Sequence, residues 1–354
     1  MRWSLLLLVW IALDVGAREV AIFSGQAVLS ADRAGSADKA TAEAGLRAAL
    51  QQVLVKASGD RSLRAAALGP FLNRAQGLVR DQRVKDQLVA LPGGGSEHRF
   101  TLEAEFDPAG VRALLEQLAR PLWPADRPSV LVWLVIDSNG NKQIASSFQM
   151  AALGALVDTA EARGLPIELP RMDGLDRDRI DAVTLWDAPP NAVIGASQRY
   201  GAHVLLVARL ARAEGAWTAH YTLIDGLGFE DWQERAGDSA PLLAAAIDGA
   251  ADRLAERYSI ESGDQVLGPR EVRVDGLHSA DDYALVIDYF RNLGPLRLLG
   301  PMRAEADELT LQLEIGVGRA RLQQLLGRNP HLRWRDPAAT TAGAEAPILL
   351  RLLD

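Results

Sequence analysis

The pattern of hydrophobic and polar residues differs between three stretches of the chain, and each pattern predicts its own kind of domain. In the first stretch, apolar residues at helical spacing predict a long amphipathic helix from about Ser36 to Gly59 and a second from Leu68 to Val79. Strict alternation of apolar and polar residues from Arg99 to Phe106 predicts a half-buried antiparallel strand. We therefore expect a small α+β domain over residues 18–124.

The second stretch contains continuous apolar runs separated by helical patterns. Val130 to Ile136 and His203 to Leu210 are apolar at most positions, which is typical of strands covered on both faces. Helical spacing follows from about Phe148 to Arg163 and again from Ala240 to Tyr258. Strands that alternate with helices in this way predict a three-layer α/β domain with a mixed sheet over residues 125–261.

The third stretch, residues 262–354, shows the order strand, helix, two strands, helix, strand. Its clearest strand patterns are at Glu271–Val274, Leu309–Ile315 and Ile348–Leu353, and a helical stripe begins after Ser279. This order predicts a ferredoxin-like α+β domain at the C-terminal end. The fold class expected for the whole chain is thus α+β and α/β, multidomain.

Met1 to Ala17 has the features of a secretory signal peptide. A basic start precedes an apolar run from Leu5 to Leu13, and small residues stand just before a predicted cleavage site after Ala17. The apolar run is too short for a transmembrane helix, which needs roughly 20 apolar residues. We therefore expect a periplasmic protein with no integral membrane segment after signal cleavage.

Composition narrows the function mainly by exclusion. The chain of 354 residues has no Cys, which excludes disulfides, thiolate metal sites and Cys nucleophiles. The net charge is −8 and no segment is strongly basic, so we expect no nucleic-acid partner. The five His residues lack the spacing of a zinc motif, and neither a cofactor nor a metal is expected.

Two short motifs resemble catalytic or metal sites but are better explained by local structure. Ser36 and Lys39 have the spacing of a serine acyl-enzyme, yet Ser36 is well placed to cap the helix that follows. Asp137 to Asn141 begins like a calcium loop, but Phe148 stands where that loop needs a bidentate glutamate. We expect a turn at a strand end there, and the sequence predicts no catalytic residue.

The segment from Arg171 to Pro190 is the strongest candidate for a binding site. It is long for a connection between a strand and a helix, which usually has about 2–6 residues. Its candidate residues are Asp173, Asp176, Asp178 and Trp186, and the arginines between the carboxylates argue against a cation site. Two interpretations stay open: a partner-binding loop, with Asp176 and Trp186 exposed on one face, or a solvated insertion without a role.

Several short phrases of the chain carry a family resemblance. They are Val53–Asp60, Phe106-Asp107, Leu122-Trp123, Arg127-Pro128, Val132–Leu134 and Tyr200–Ala202. In this order and spacing they resemble the proteobacterial domain-of-unknown-function family 2066, and the resemblance spans nearly the whole mature chain. It implies no catalytic residues, because that family has no established activity. In layout the first two stretches are also similar to flagellar assembly protein T, and the middle stretch to the N-terminal domain of the Tol-system translocation protein.

These observations predict a non-catalytic binding or assembly factor of the cell envelope, with other envelope proteins as partners. The alternative from a different class is an envelope hydrolase with a dispersed active site. Such an enzyme would place two or more titratable groups with shifted pKa values in one pocket. A third interpretation is a glycan-binding module in which Trp186 stacks on peptidoglycan sugars.

Overall fold

Three mixed α and β units follow one another along the chain, each organised around one sheet. The computed structural model describes residues 17–29, 39–64, 68–90, 96–187, 190–213, 215–261, 266–293, 296–299, 303–305, 307–329, 331–335 and 346–353. These residues form two six-stranded sheets, one three-stranded sheet and one two-stranded sheet, so the expected multidomain α+β fold class is confirmed. Ser36, and the predicted signal peptide apart from Ala17, lie outside the described residues.

The first unit packs a long helix on a three-stranded antiparallel sheet. Its elements are β1 (Ala17–Glu19), β2 (Ser24–Leu29), α1 (Lys39–Ser58), α2 (Gly69–Leu72), α3 (Ala75–Leu78), β3 (Val79–Ala90), β4 (Ser96–Phe106) and α4 (Pro108–Gln117). The sheet order is β2-β4-β3, and helix α1 contacts both β2 and β4. Leu46, Leu50 and Val53 of α1 are buried in this contact. Gly59, with a φ of 74°, follows the helix and ends it as predicted.

The second helix predicted for this unit is wrong. Leu68 to Val79 forms the two single-turn helices α2 and α3, and the chain then enters β3, which the sequence pattern does not predict. Strand β3 pairs with β4 from Val79 to Ala90, yet its side chains from Arg80 to Leu88 are all exposed. A strand that is stabilised by cross-strand hydrogen bonds rather than by burial leaves no alternation of apolar residues to detect.

The middle unit has a sheet with apolar clusters on both faces, as its apolar strands predict. Its elements are β5 (Asp126–Pro128), β6 (Val130–Ser138), β7 (Asn141–Ile144), α5 (Gly154–Arg163), β8 (Ile167–Glu168), α6 (Gly174–Arg177), α7 (Ala182–Asp187), α8 (Pro190–Ser197), β9 (Val204–Ala213), β10 (Ala216–Asp225), β11 (Gly228–Ala236) and α9 (Ser239–Tyr258). The sheet order is β11-β10-β9-β6-β7, with β6 parallel to β9. Val132 and Leu134 belong to the cluster that includes α5 and α9, whereas Leu131 and Trp133 belong to the cluster that includes α7 and α8.

Buried arginines join the first unit to the middle unit. Arg127 donates to the carbonyl oxygen of Lys56 near the end of α1 at 2.7 Å, and to those of Arg163 and Gly164 at the end of α5 at 2.7 and 2.8 Å. The negative ends of two helix dipoles therefore surround this buried cation. Arg163 in turn donates to Asp248 Oδ1 of α9 at 2.8 Å. Burial, together with the nearby charge of Arg163, lowers the pKa of Arg127 to about 9.

The third unit has the predicted order of helices and strands, with additional strands at its edges. Its elements are β12 (Gly268–Asp275), α10 (Ala280–Asn292), β13 (Leu296–Leu298), β14 (Arg303–Glu305), β15 (Glu308–Ile315), α11 (Arg319–Gly327), β16 (Leu332–Arg335) and β17 (Ile348–Leu352). The sheet order is β13-β15-β12-β17-β16, and β17 lies parallel to β12. Strand β16 is missing from the sequence prediction because it is short and carries two arginines. The unit therefore departs from the predicted ferredoxin-like sheet at this edge.

Candidate functional site

A groove opens at one edge of the middle sheet, where two short strands share the same neighbour. Because β9 pairs with one side of β6 along residues 130–137, β8 and β7 both pair with the opposite side. The segments that follow β7 and β8 meet beside this edge, where the Ser147 N–H donates to the Pro170 carbonyl oxygen at 2.8 Å. The sheet edge thus brings the segment after β7 beside the segment after β8.

These two segments line what we call the edge groove. It consists of two adjoining open cavities of about 530 and 400 Å³. Its lining residues are Ile144, Ser146, Ser147, Phe148 and Gln149 on one side, and Arg171, Met172, Asp173, Arg177, Ile180, Asp181 and Ala182 on the other. The second side belongs to the segment that the sequence singles out as a candidate binding loop.

A buried carboxylate fixes the second side of the groove. Asp176 has no exposed surface, and its Oδ2 accepts hydrogen bonds from the Tyr200 hydroxyl at 2.5 Å and from the Met172 N–H at 2.8 Å. Arg199 donates to Asp176 Oδ1 at 3.0 Å and through both terminal nitrogens to Asp173, at 2.5 and 2.8 Å. The Tyr200 hydroxyl also accepts from the Arg171 N–H at 2.8 Å. The chain from 171 to 176 is therefore held in one conformation.

Met172 is part of this constraint. Its φ is 53°, in the left-handed region that few residues other than glycine, Asn and Asp adopt. The hydrogen bond from its N–H to the buried carboxylate of Asp176 holds it there. A residue kept in such a conformation by its surroundings is more frequent at functional sites than elsewhere.

Titratable groups in and beside the groove have pKa values that are shifted further away from pH 7. Hydrogen bonds from Arg199 lower the pKa of Asp173 to about 2. Burial and the hydrogen bond to Asp176 raise the pKa of Tyr200 to about 12. The N–H of Thr184 lowers the pKa of Asp181, which caps the start of α7. Because a general acid or base works best with a pKa near the operating pH, these shifts favour ion pairing and capping over proton transfer.

The four residues proposed from the sequence do not form one surface. Asp173 and Asp176 meet at Arg199, whereas Asp178 is exposed at the end of α6 and Trp186 is half-buried against the cluster beside α7. The expected exposure of Asp176 together with Trp186 is therefore wrong. Asp176 can be buried because Arg199 and Tyr200, more than twenty residues later, supply it with donors.

Sequence reasoning missed the most exposed apolar side chain near the groove. Phe148 is 89% exposed and lines the groove together with Ser146 and Ser147. Leu175 in α6 and Val183 in α7 are also largely exposed and flank the other side. Phe148 lies in the first turn of a short 3-10 helix, Ser147–Ala152, and the two serines before it were the available signal in the sequence.

Two guanidinium groups give the groove a local positive charge. Arg171 and Arg177 are exposed, and no carboxylate of the described chain lies within ion-pair distance of either. Of the two carboxylates in the lining, Asp173 already binds Arg199 on both oxygens, and Asp181 accepts from the Thr184 N–H at the start of α7. An anionic ligand in the groove would therefore find two guanidinium groups that have no ion-pair partner among the described residues, beside an exposed aromatic ring.

The motif at Asp137 forms the turn expected from the sequence. Asp137 Oδ1 accepts from the Gly140 N–H at 2.6 Å, and its other oxygen lies 3.1 Å from Lys142 Nζ. Asn139 and Gly140 have φ values of 57° and 87°, as a two-residue hairpin turn requires. Nowhere in the described ranges do three or more His, Cys, Asp or Glu side chains lie close enough together to hold a metal ion.

Replacing Asp176 with alanine is expected to destabilise the segment 171–187 by about 3 kcal/mol, because Arg199 loses a buried partner and the Tyr200 hydroxyl loses its acceptor. Hydrogen exchange followed by mass spectrometry should show faster exchange across this segment and unchanged exchange in α10. Asp178→Ala, which removes an exposed carboxylate from the same segment, is the matched control. Equal exchange in the two variants would contradict the structural role of Asp176.

A family model and a solved structure each match part of this chain. A family model described as a domain of unknown function (DUF8605) matches residues 30–124. Among solved structures, the C-terminal domain of LpoB from Salmonella enterica is similar at 15% sequence identity, over 30% of this chain and 79% of that one, with a TM-score of 0.21. No curated protein matches the chain. No helix among the residues that the structure describes is long and apolar enough to cross a membrane.

The match to DUF8605 can be compared with the resemblance to family 2066 that the sequence suggests. It supports the coarser expectation of a domain whose function is unknown, within the first unit of the chain. The more specific resemblance to family 2066 is not confirmed.

Proposed function

We propose that this protein is a non-catalytic binding or assembly factor that holds a segment of a partner protein in the edge groove. The observation that carries the proposal is the combination, in one groove, of the exposed ring of Phe148 with the unpaired guanidinium groups of Arg171 and Arg177. Exposed aromatic and Arg side chains are enriched among the residues that dominate binding energy at protein interfaces. An acidic segment with at least one apolar side chain fits this lining.

The rigid frame around Asp176 also favours binding over a tolerated insertion. A solvated loop without a role would not need a buried carboxylate with three protein donors. Preformed binding surfaces lose less conformational entropy when a partner docks. The frame therefore supports a surface that is ready to bind without rearrangement.

Cross-linking from position 148 tests the proposal. A photoreactive phenylalanine analogue at Phe148, which keeps an aromatic ring there, should cross-link one discrete protein in cells. The same analogue at Leu285, an exposed apolar position on α10 of the third unit, is the matched control. We expect a single adduct from position 148 that is absent from position 285. The same adducts from both positions, or none from position 148, would contradict the proposal.

The two other interpretations receive less support. For an envelope hydrolase, the shifted pKa values of Asp173 and Asp181 are in the wrong direction for acid–base work near pH 7. For glycan binding, the Trp186 ring would have to be available to a sugar. Instead it packs against the cluster beside α7, and Lys142 Nζ lies 5.1 Å from its centroid. Protein binding at the edge groove uses side chains that are exposed.

We also propose that the protein works in the periplasm after removal of Met1 to Ala17. Ala17 to Glu19 forms β1, which pairs with β5 at the start of the middle unit, so cleavage after Ala17 would leave Arg18 and Glu19 in that strand. N-terminal sequencing of protein recovered from the periplasmic fraction is expected to begin at Arg18. A chain that starts with Met1 and remains in the cytoplasm would contradict export.

A further inference from the structure

A second open cavity lies on the same face of the middle sheet and shares no lining residue with the edge groove. Its volume is about 500 Å³, within the range of small-molecule sites. It is bounded by Pro190 at the start of α8 and floored by β9, β10 and β11. We call it the sheet-face pocket.

The strand register places the floor residues in rows across the sheet. Ile224 of β10 is opposite Phe229 of β11, Thr222 is opposite Asp231, and His220 is opposite Gln233. The β10 residues Ile224 and Thr222 are buried, whereas Phe229 on the outer strand is 61% exposed. The helix layer over β6 and β9 therefore ends before it reaches β11, and the apolar end of the floor is open to solvent.

Beside Thr222, the floor carries a cation that has no carboxylate partner among the described residues. Arg209, in the row of His220, donates to the Trp186 carbonyl oxygen at 3.3 Å and to the Thr222 hydroxyl oxygen at 2.9 Å. Its Nε is buried and has no hydrogen-bond partner in the described part of the chain. Both acceptors are neutral, so the guanidinium charge is oriented but not neutralised by direct contact.

Among the described lining residues, Asp231 is the acidic side chain, and a hydroxyl group separates it from this cation. Thr222 donates its only proton to Asp231 Oδ1 at 2.5 Å and accepts from Arg209. On β11 the alternation of side chains puts Asp231 and Arg235 on this face, and Glu230, which pairs with Arg253, on the other. Among the residues that β9, β10 and β11 place on this face, Arg209 and Arg235 outnumber Asp231, in a chain whose net charge is −8.

From this geometry we propose that the sheet-face pocket binds a small organic monocarboxylate with an elongated apolar body. Its carboxylate would lie at the Arg209 end and its apolar body along the floor toward Phe229. Because the Arg209 guanidinium reaches Thr222, it lies two residues along β10 from the row of Ile224 and Phe229, about 7 Å at ~3.4 Å per residue, which suits a ligand with its charge at one end. Asp231, which is joined to Arg209 through the Thr222 hydroxyl, disfavours a second negative charge on the ligand.

Decanoate, used below its micelle concentration, is a suitable probe for isothermal titration calorimetry with the full-length mature protein. We expect saturable binding to one site, and binding at least tenfold weaker for decanol and for decyltrimethylammonium, which keep the chain but remove or reverse the charge. Equal binding of all three compounds, no binding of decanoate, or binding only of an acidic peptide would overturn the proposal.

Variants locate the site. Phe229→Ser changes an exposed side chain and should weaken decanoate binding at least tenfold, as should Arg209→Gln. Arg212→Gln alters an exposed arginine on the opposite face of β9 and should bind like the wild type. If Arg209→Gln does not fold, Phe229→Ser and Arg212→Gln alone decide the result. Unchanged decanoate affinity in Phe229→Ser would overturn the proposal, whereas cross-linking from position 148 should be unaffected by this variant.

Discussion

Replacing Arg127 with alanine is expected to lower the free energy of unfolding by about 4 kcal/mol, the largest effect on stability that we predict for a single residue. The guanidinium is completely buried, lies 3.6 Å from the ring centroid of Trp123, and donates to carbonyl oxygens at the ends of α1 and α5. Its loss leaves those carbonyl oxygens without a donor, in a region too tightly packed to admit bulk water.

Close packing around Gly164 explains why neighbouring side chains would not easily fill the space that Arg127→Ala leaves. A Cβ atom at Gly164, whose φ is 61°, would lie 2.8 Å from Arg127 Nη1 and 2.7 Å from Lys56 Cγ. Arg127, Gly164 and the end of α1 are therefore packed closely against one another. Lysine at position 127 keeps the charge but not the planar fork of donors, so we expect about half of the loss.

Urea unfolding followed by circular dichroism measures this effect. The matched control is Arg297→Ala, which removes an exposed arginine from β13 and should change stability by less than about 0.5 kcal/mol. The Arg127→Ala variant should unfold at a clearly lower urea concentration, with the first unit separating from the middle unit. A midpoint equal to that of the control would contradict the role assigned to Arg127.

Replacing Phe148 with alanine is expected to weaken binding of the cross-linked partner by roughly 30-fold or more, as truncation of an aromatic interface anchor commonly does. Stability should not change, because the side chain is 89% exposed and contributes little to the core. Affinity for the purified partner, measured by calorimetry or surface plasmon resonance, separates the two effects. Leu285→Ala, at another exposed apolar position, should leave the affinity unchanged; equal losses in both variants would mean that Phe148 has no special role.

The parts of the fold that the sequence predicted are those in which burial leaves a periodic signal. Strand β6 is apolar at successive positions because both of its faces are covered, and Leu131 and Val132 pack into different clusters. Helix α10 was predicted from its stripe and from Ser279, whose side chain accepts from the Asp282 N–H. Strand β3 was missed because its stability comes from pairing with β4, which leaves its side chains exposed.

Only one side of the edge groove could be predicted from the sequence, because the groove is formed by contacts between residues far apart in the chain. The segment from Arg171 could be singled out by its length and charge, but its burial depends on Arg199 and Tyr200, which follow after another helix. Nothing in the spacing of Asp173 and Asp176 indicates that they share one guanidinium. Phe148 could not be assigned to the groove either, because the pairing of β7 and β8 with one edge of β6 brings the two segments together.

The central claim, that the edge groove binds an acidic partner through its unpaired arginines, is tested most directly by charge reversal. The affinity of the cross-linked partner should be measured for the wild type, for Arg171→Glu combined with Arg177→Glu, and for Arg179→Glu. Arg179 is an exposed arginine of the same segment that does not line the groove. We expect the double variant to bind at least about tenfold more weakly, with a smaller dependence on salt, and Arg179→Glu to bind like the wild type. Equal affinities for all three proteins would contradict the claim.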